Sequence, residues 1–206
     1  MIKLLISCII SYTIGSIPFS FIIGKFIKGV DIRAHGSGNV GATNLLRVTG
    51  KVPGVIALVL DAAKGVICVS LIANIFYSSS LLIGLPMMRV LLGLCVVSGH
   101  IWTVFLKFKG GKGVATTIGV FLGVAPLVTI LSLIIWSLTF YFTRFVSLSS
   151  IAFSISLPIF VIILKRPDAY FFLSGVLCIF IVIKHIPNIK RLLEGKEHKI
   201  GEKIKK

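Results

Sequence analysis

The pattern of apolar and polar positions predicts a chain built almost entirely from membrane helices. Backbone groups find no partners in a hydrocarbon core, so each long apolar run is predicted to be a helix. The runs cover roughly residues 4–24, 52–77, 81–106, 114–143, 146–164 and 169–184. The first run follows a lone Lys3 and resembles a signal peptide, but no small-residue cleavage site follows it. We therefore interpret it as a retained span.

The run at residues 114–143 is too long for one ordinary span, because about 20 residues cross a bilayer. It contains Gly119, Gly123 and Pro126, and proline breaks or kinks helices. We predict a short helix near 114–124 and a second helix near 126–143. A single tilted span is the alternative.

The composition and the charge distribution predict the topology. Hydrophobic residues make up 56% of the 206 residues, which indicates an integral membrane protein. There are 22 Lys and Arg against 6 Asp and Glu, for a net charge of +16. Basic residues crowd the segment after the first run and the tail after Lys184, and such segments stay in the cytoplasm. The excess charge also favours anionic lipid headgroups and anionic substrates.

An outside N-terminus and a cytoplasmic C-terminus require an odd number of spans. We therefore predict an all-α polytopic bundle of about seven transmembrane helices, one of them short. Residues 1–206 are expected to form a single integral membrane domain, and no soluble module is present to bind nucleic acid. This topology places three polar segments, residues 25–51, 107–113 and 184–206, on the cytoplasmic face, where they are expected to converge.

The first polar segment contains a glycine-rich loop at residues 36–44, Gly-Ser-Gly-Asn-Val-Gly-Ala-Thr-Asn, between Arg33 and Arg47. Glycine lets a backbone turn tightly and present its N–H groups, and guanidinium offers a planar fork of donors to phosphate. The alternative is a flexible loop whose Ser and Asn cap short helices. The predicted phosphate-binding residues of this loop are Gly36, Gly38, Asn39, Gly41, Thr43 and Asn44, beside Ser37.

The second polar segment reads Lys-Phe-Lys-Gly-Gly-Lys-Gly at residues 107–113, directly before an apolar run. Glycines before a helix N-terminus form an anion site, so Gly110, Gly111, Lys112 and Gly113 are predicted to bind phosphate. The spacing is not that of a Walker A loop. A basic anchor touching lipid phosphates is the alternative.

The third polar segment begins at Lys184 and predicts an amphipathic interfacial helix, with His185 and Asn188 at its start. A plain surface helix is the alternative. Within the second run, Asp61 and Lys64 are three residues apart, and a structural ion pair is expected there rather than a catalytic one. His100, at the end of the third run, is either a core or interfacial histidine or a site residue.

No nucleophile–base pair and no metal-ligand spacing is evident, and the four cysteines all lie inside apolar runs. The residues therefore predict phosphate positioning without a covalent enzyme intermediate.

Taken in order, six motifs resemble those of the bacterial acyl-phosphate:glycerol-3-phosphate acyltransferases, which are small integral membrane enzymes. One departure is Val40, at a position where the family commonly has proline. The motifs are Gly-Ser-Ile-Pro-Phe at 15–19, Gly-Ser-Gly-Asn-x-Gly-Ala-Thr-Asn at 36–44, Asp-x-x-Lys-Gly at 61–65, Gly-His at 99–100, Phe-Lys-Gly-Gly-Lys-Gly-Val-Ala-Thr at 108–116 and His-x-x-Asn-Ile-Lys-Arg-Leu-Leu-x-Gly-x-Glu at 185–197.

The resemblance implies transfer of a fatty acyl group from acyl phosphate to the sn-1 hydroxyl of glycerol 3-phosphate, with no cofactor and no metal. The expected products are 1-acyl-glycerol 3-phosphate and phosphate, the first acylation step of phospholipid biosynthesis. The enzyme is expected in the bacterial cytoplasmic (inner) membrane with its site facing the cytoplasm. The family's catalytic positions map to Ser37, Arg47, His185, Asn188 and Glu197.

Two other classes remain open from the sequence. A transporter or binding protein for an anionic metabolite also uses broken helices and glycine loops. An acyltransferase that takes acyl-CoA would share the acceptor but not the donor. An assay separates the three classes: the purified protein is given glycerol 3-phosphate together with either acyl phosphate or acyl-CoA.

Overall fold

The structure is a computed structural model that describes residues 1–79 and 81–200, and these form helices, turns and loops with no β-strand among them. The predicted all-α fold class is confirmed. Short 3₁₀ turns lie at Ile32–Ala34 and Val104–Leu106, and a π-helical segment, Ile67–Ile72, follows α4. The α-helices of the described chain are α1 (Ile2–Ser16), α2 (Phe19–Lys28), α3 (Ala42–Thr49), α4 (Lys51–Val66), α5 (Ala73–Phe76), α6 (Leu85–Ile101), α7 (Val114–Val124), α8 (Pro126–Thr143), α9 (Val146–Ile163), α10 (Asp168–Lys184) and α11 (Ile186–Leu193).

Five helical stretches of the described chain are long and apolar enough to cross a membrane, and a sixth is gained if α10 and α11, bent by 57°, are taken as one span. Helix α7 is apolar but shorter than a span. The number of about seven crossings and their orientation stay predictions. The five stretches are Ile2–Lys28, Lys51–Phe76, Leu85–Leu106, Pro126–Thr143 and Val146–Ile163.

The predicted division of residues 114–143 into two helices is confirmed. Helix α7 ends at Val124, and α8 begins at Pro126. Ala125 between them leaves helical geometry, with φ −151° and ψ 72°. The residue before a proline is disfavoured in the helical region, while proline itself fits the first turn of the next helix.

A second break divides the first apolar run. Helix α1 ends at Ser16, Ile17 is extended with ψ 114°, and α2 begins at Phe19. Pro18 explains the break in the same way as Pro126. The carbonyl groups at the end of α1 are thereby left without helical donors and need hydrogen-bond partners from elsewhere.

Residue contacts divide the chain into two compact units, Met1–Val124 and Ala125–Lys206. In the first unit, α1 packs on α6 and α4 packs on α7. Small residues make both contacts possible: a Cβ atom on Gly15 would lie 2.1 Å from Val96 O, and one on Gly119 would lie 1.8 Å from Ala62 O. Such close approach is typical of membrane helix pairs.

The second unit contains α8 to α11, with α9 packed against both α8 and α10. Helix α9 carries several buried serines, and Ser149 and Ser150 donate to carbonyl oxygens four residues earlier, at 2.8 Å in each case. Residues 201–206 of the third predicted segment lie outside the described residues. The prediction of a single domain across residues 1–206 stays a prediction.

Candidate active site

The side chain of Asn44 organises the glycine–asparagine loop (residues 36–44). It is 1% exposed and sits at the start of α3. Its Nδ2 donates to the carbonyl oxygens of Ile32, His35 and Asn39 at 2.8, 3.1 and 2.9 Å, and its Oδ1 accepts from Ser37 N at 2.8 Å. The amide is thus committed to the backbone of the loop, and we assign to Asn44 the part of a scaffold for its neighbours.

Two glycines of this loop adopt the left-handed conformation, Gly36 with φ 59° and Gly38 with φ 71°. A Cβ on Gly36 would also lie 2.3 Å from Asn44 Oδ1. These positions therefore require glycine for both the turn and the close approach of Asn44. Ser37 lies exposed at the tip between them.

Helix α3 carries the remaining predicted residues of the first segment. Gly41 precedes the helix, Thr43 lies in its first turn, and Arg47 lies in its last turn with a half-buried side chain. Asn39 is half-buried within the loop. Val40 is 7% exposed and packs with Ile32 and Leu45 in an apolar cluster.

Arg33 is engaged differently from Arg47. Its guanidinium pairs with Asp31, with Nη2 2.6 Å from Oδ2, and it lies 5.0 Å from the centroid of the Phe21 ring. The hydrogen bond from the Arg33 side chain holds the pKa of Asp31 down to about 2. The same carboxylate raises the pKa of Arg33. We therefore treat Arg33 as a structural cation of this region.

The lysine–glycine loop (residues 107–113) joins the end of α6 to the start of α7. Gly110 N donates to Ile101 O and Gly111 N donates to His100 O, both at 3.1 Å. These two amides therefore satisfy the last carbonyls of α6. The first hydrogen bond of α7 runs from Thr117 N to Gly113 O at 2.8 Å, so the N–H groups ahead of it have no acceptor within the helix.

This arrangement refines the predicted roles of the loop. Gly110 and Gly111 hold the loop, whereas Lys112 and Gly113 stand at the positive end of α7, where an anion is favoured. Gly113 has φ 86° and is buried, and Lys112 is half-buried.

A small cavity in the first unit joins the two loops. Val40 contributes from the glycine–asparagine loop, and Gly110 and Gly111 contribute from the lysine–glycine loop. Asp61 and His100 also line it, as do the residues of the α1–α2 break. The structure thus brings the first and second predicted segments to a shared cavity.

The predicted ion pair within the second span is present. Lys64 Nζ lies 2.8 Å from Asp61 Oδ1, and each side chain is 2% exposed. His100 Nδ1 lies 3.4 Å from the same oxygen. We call Asp61, Lys64 and His100 the buried trio.

In the second unit, Glu197 is the centre of a second cluster of predicted residues. Its Oε1 accepts from Asn188 Nδ2 at 2.6 Å and from Ser147 Oγ at 2.7 Å, and its Oε2 accepts from Arg191 Nε at 2.7 Å. The carboxylate is 6% exposed. We call Glu197, Asn188, Arg191 and Ser147 the carboxylate cluster.

The electrostatics of this cluster keep Glu197 ionised. Burial alone would raise its pKa, but the hydrogen bonds from Asn188, Ser147 and Arg191 outweigh burial and hold the pKa below its ordinary value. A carboxylate stabilised in this way is a poor proton acceptor. Glu197 therefore suits the orientation of Asn188 and Arg191 better than base chemistry.

His185 lies between α10 and α11 and is 2% exposed. Its Nδ1 lies 2.8 Å from Ile181 O, and a carbonyl oxygen only accepts hydrogen bonds. Nδ1 therefore carries a proton, and in the neutral ring Nε2 is the basic nitrogen. This tautomer is the one that a general base at Nε2 requires.

Two members of the carboxylate cluster were not predicted from the sequence. Arg191 lies in the last turn of α11 and reads as an ordinary basic residue of a polar face. Ser147 lies 50 residues before Glu197, and no spacing relates the two. A search for small polar side chains at the first turns of spans would have found Ser147 only among many other serines.

Comparison with known proteins identifies the family. Residues 5–195 match the family model described as glycerol-3-phosphate acyltransferase. The chain is 43% identical to glycerol-3-phosphate acyltransferase 2 of Moorella thermoacetica over 97% of this chain and 98% of that protein. It is also 43% identical to a glycerol-3-phosphate acyltransferase of Desulforamulus reducens, over 94% and 93% of the two chains.

Two solved structures share the fold. The crystal structure of PlsY (YgiH), an integral membrane glycerol 3-phosphate acyltransferase, in its glycerol 3-phosphate form has a TM-score of 0.88 and 42% identity, covering 96% of each chain. Its lysophosphatidic acid form has a TM-score of 0.86 and 41% identity, covering 96% of this chain and 95% of that one. This chain is accordingly a multi-pass membrane protein, and it belongs to the glycerol-3-phosphate acyltransferase family.

Proposed function

We propose that this protein transfers a fatty acyl group from acyl phosphate to the sn-1 hydroxyl of glycerol 3-phosphate. The observation that carries the proposal is the shared cavity of the first unit, where the lysine–glycine loop and the glycine–asparagine loop meet. Lys112 within one loop and Arg47 on α3, which follows the other, are the cations that two phosphorylated substrates require. The relatives named as glycerol-3-phosphate acyltransferases support the acceptor.

The chemistry requires little activation of the donor. An acyl phosphate is a mixed anhydride with phosphate as its leaving group. The sn-1 oxygen forms a bond to the acyl carbon, the bond between that carbon and the phosphate oxygen breaks, and the hydroxyl proton passes to a base. Orientation of the two substrates can supply much of the acceleration, because well-oriented reactions reach effective molarities of about 10⁵–10⁸ M.

The residues take the following roles in this proposal. Arg47, Lys112 and the first amides of α7 hold phosphate and stabilise the charge that develops on the leaving group. Ser37 and Asn188 orient the acyl carbonyl or the acceptor hydroxyl. The proton passes to a substrate phosphate oxygen or to His185 Nε2, and Glu197 orients its neighbours. The acyl chain lies in a groove between helices that is open to the bilayer.

We further propose a location in the bacterial cytoplasmic membrane, with the site facing the cytoplasm. The excess of Lys and Arg in the three polar segments supports this orientation. Single cysteines placed at Lys109 and Arg166, in a chain whose four native cysteines are replaced, test it with an impermeant thiol reagent. Labelling of position 166 alone from outside is expected, and labelling of position 109 from outside would contradict the proposal.

A donor comparison tests the reaction directly. The purified protein receives glycerol 3-phosphate together with palmitoyl phosphate, palmitoyl-CoA or palmitoyl carrier protein, and the position of the acyl group is read from the product. We expect 1-acyl-glycerol 3-phosphate from the palmitoyl phosphate reaction only. Product from palmitoyl-CoA alone would assign the chain to the acyl-CoA class. Uptake of glycerol 3-phosphate into proteoliposomes without acylation would assign it to the transporters.

Direct transfer is distinguished from a covalent route at Ser37. We expect no acyl-serine when the enzyme is quenched in acid during turnover and its peptides are weighed by mass spectrometry. An acylated peptide that contains Ser37, and that disappears in Ser37→Ala, would overturn direct transfer.

A further inference from the structure

The buried trio has no role in the acyl transfer proposed above, although it lies against the shared cavity. Charged side chains inside a membrane span are costly, and those that are retained usually serve a defined purpose. Asp61 and Lys64 are each 2% exposed, and His100 is 9% exposed. The contacts of these side chains show which backbone segments they hold in place.

Lys64 caps the broken end of α1. Its Nζ donates to Gly15 O at 2.9 Å and to Ile17 O at 3.2 Å. Thr103 Oγ1 donates to Ser16 O at 2.5 Å between them. The carbonyl groups freed by the Pro18 break are thus satisfied by side chains from two other helical segments, which fixes the break in place.

Asp61 links this capped break to His100. Asp61 Oδ1 lies 2.8 Å from Lys64 Nζ and 3.4 Å from His100 Nδ1. The Nδ1 edge of the ring therefore faces Asp61, and its opposite edge, Nε2, faces the lysine–glycine loop.

The His100 ring and backbone both bound that loop. A Cβ on Gly111 would lie 2.3 Å from His100 Nε2, and one on Gly110 would lie 2.1 Å from His100 O. Gly111 N donates to the same carbonyl oxygen at 3.1 Å. The loop thus lies directly on the imidazole, and the ring determines how far the backbone ahead of α7 can approach α6.

We propose that His100, oriented by Asp61 and Lys64, is a positioning residue that sets the lysine–glycine loop at the distance required for phosphate binding. The proposal rests on the proposed function, in which Lys112 and the start of α7 hold a substrate phosphate. A series of contacts runs from the α1–α2 break through Lys64, Asp61 and His100 to Gly111. Because the same cavity is lined by Val40, the loop is also set relative to the glycine–asparagine loop.

A double-mutant cycle between His100 and Gly111 tests this proposal. Full-length His100→Ala, Gly111→Ala and the double variant are purified in detergent, and calorimetry gives their affinities for glycerol 3-phosphate and for inorganic phosphate. We expect each single variant to weaken the binding of at least one of these probes by about 10-fold or more. The double variant has space for the new methyl group, so its loss is expected to be about 10-fold smaller than the product of the single losses.

A matched control separates positioning from simple loss of packing. Met88 is fully buried in the same helix, packs with Ala73 and Leu92, and lies about 18 Å from His100 along the helix axis. Met88→Ala is expected to lower the melting temperature while leaving both affinities within about 2-fold of the parent. If Gly111→Ala fails to fold, the affinities and melting temperatures of His100→Ala and Met88→Ala are compared instead. Weakened binding in His100→Ala alone supports the proposal.

The outcomes are distinct from those of the donor comparison. Unchanged affinities in His100→Ala beside a lowered melting temperature would show a purely structural histidine and overturn the inference. Losses that simply multiply in the double variant would also overturn it. If the variants behave as expected but no acyl phosphate is used, the positioning role stands and the proposed donor fails. A parent protein that binds neither probe would overturn both.

Discussion

The lysine–glycine loop of the first unit and the carboxylate cluster of the second unit hold their functional groups in opposite ways. In the loop, backbone amides of Gly110 and Gly111 bind the end of α6, and a Cβ atom on Gly111 would meet the His100 ring. In the cluster, one carboxylate accepts from three side chains, Ser147 on α9 and Asn188 and Arg191 on α11. The loop is therefore sensitive to added atoms, whereas the cluster is sensitive to a lost charge.

This difference also indicates which electrostatic role each region serves. The loop presents the positive start of α7 and Lys112, which suit an anion that arrives and leaves. The cluster keeps its anion permanently, because the hydrogen bonds to Glu197 lower its pKa. A permanent carboxylate repels a phosphate dianion, so we propose that Glu197 orients the donors around it.

The largest expected effect is the loss of a cation that we propose to hold substrate phosphate, tested by Arg47→Ala. We expect kcat/KM to fall by about 10³-fold, since removal of one charged donor to a developing anion has effects of this size. The melting temperature should change little, because the Arg47 side chain is only half-buried. Arg33→Ala is the matched control, since Arg33 pairs with Asp31 at 2.6 Å. Retention of activity in Arg47→Ala, or an equal loss in both variants, would contradict the charge clamp.

The next effect tests the carboxylate cluster. Glu197→Gln keeps the shape of the side chain but removes the charge that Arg191 and Asn188 bind. A misplacement of about 1 Å can cost about 10²-fold, so we expect a fall in kcat of about 10- to 100-fold. Glu194→Gln is the control, because Glu194 is an exposed partner of Lys196 at 3.1 Å. Full activity in Glu197→Gln at neutral pH would remove the orienting role.

A smaller effect is expected from the scaffold of the glycine–asparagine loop. Asn44→Ala leaves four backbone groups without their amide partner, and we expect a loss of stability of about 1–3 kcal/mol together with a raised KM. Denaturation in detergent and steady-state kinetics measure the two effects. Asn74→Ala, at an exposed partner of Arg89, should change neither. An Asn44→Ala enzyme of normal stability but without phosphate affinity would instead indicate direct contact with substrate.

The smallest expected effect is on stability against pH. The folded pKa of Glu197 lies below its ordinary value of 4.5, so its stabilising contribution is present above that pH and is lost as the pH falls through the folded pKa. Melting temperatures from about pH 7 to about pH 3 should show the parent losing its advantage over Glu197→Gln only at the acid end. A constant difference between the two proteins would contradict an ionised, hydrogen-bonded carboxylate.

Much of the helical pattern could be predicted because lipid forces every apolar run into a helix. The break at Pro126 could also be predicted, because proline disfavours helical geometry in the residue before it. The break at Pro18 was harder to see, since it lies inside a run of normal span length. Its capping by Lys64 and Thr103 depends on contacts between distant segments, which periodicity does not report.

The site was predictable to the extent that its chemistry is local. The glycines at 36, 38 and 113 predicted tight backbone turns, and all three have positive φ. Gly110 and Gly111 were expected to offer their amides to an anion, yet those amides bind α6. Asn44 was expected to bind phosphate, and its side-chain amide is hydrogen-bonded to the loop, so phosphate binding by Asn44 stays a prediction. Only the folded chain shows which donors are already used.

The most direct test of the whole account is one reaction followed with two labels, using palmitoyl [³²P]phosphate and [¹⁴C]glycerol 3-phosphate. We expect phosphate release and lysophosphatidic acid formation to rise together in a one-to-one ratio, and neither to occur when glycerol 3-phosphate is omitted. A burst of phosphate equal to the enzyme concentration in the absence of the acceptor would contradict direct transfer between two seated phosphorylated substrates.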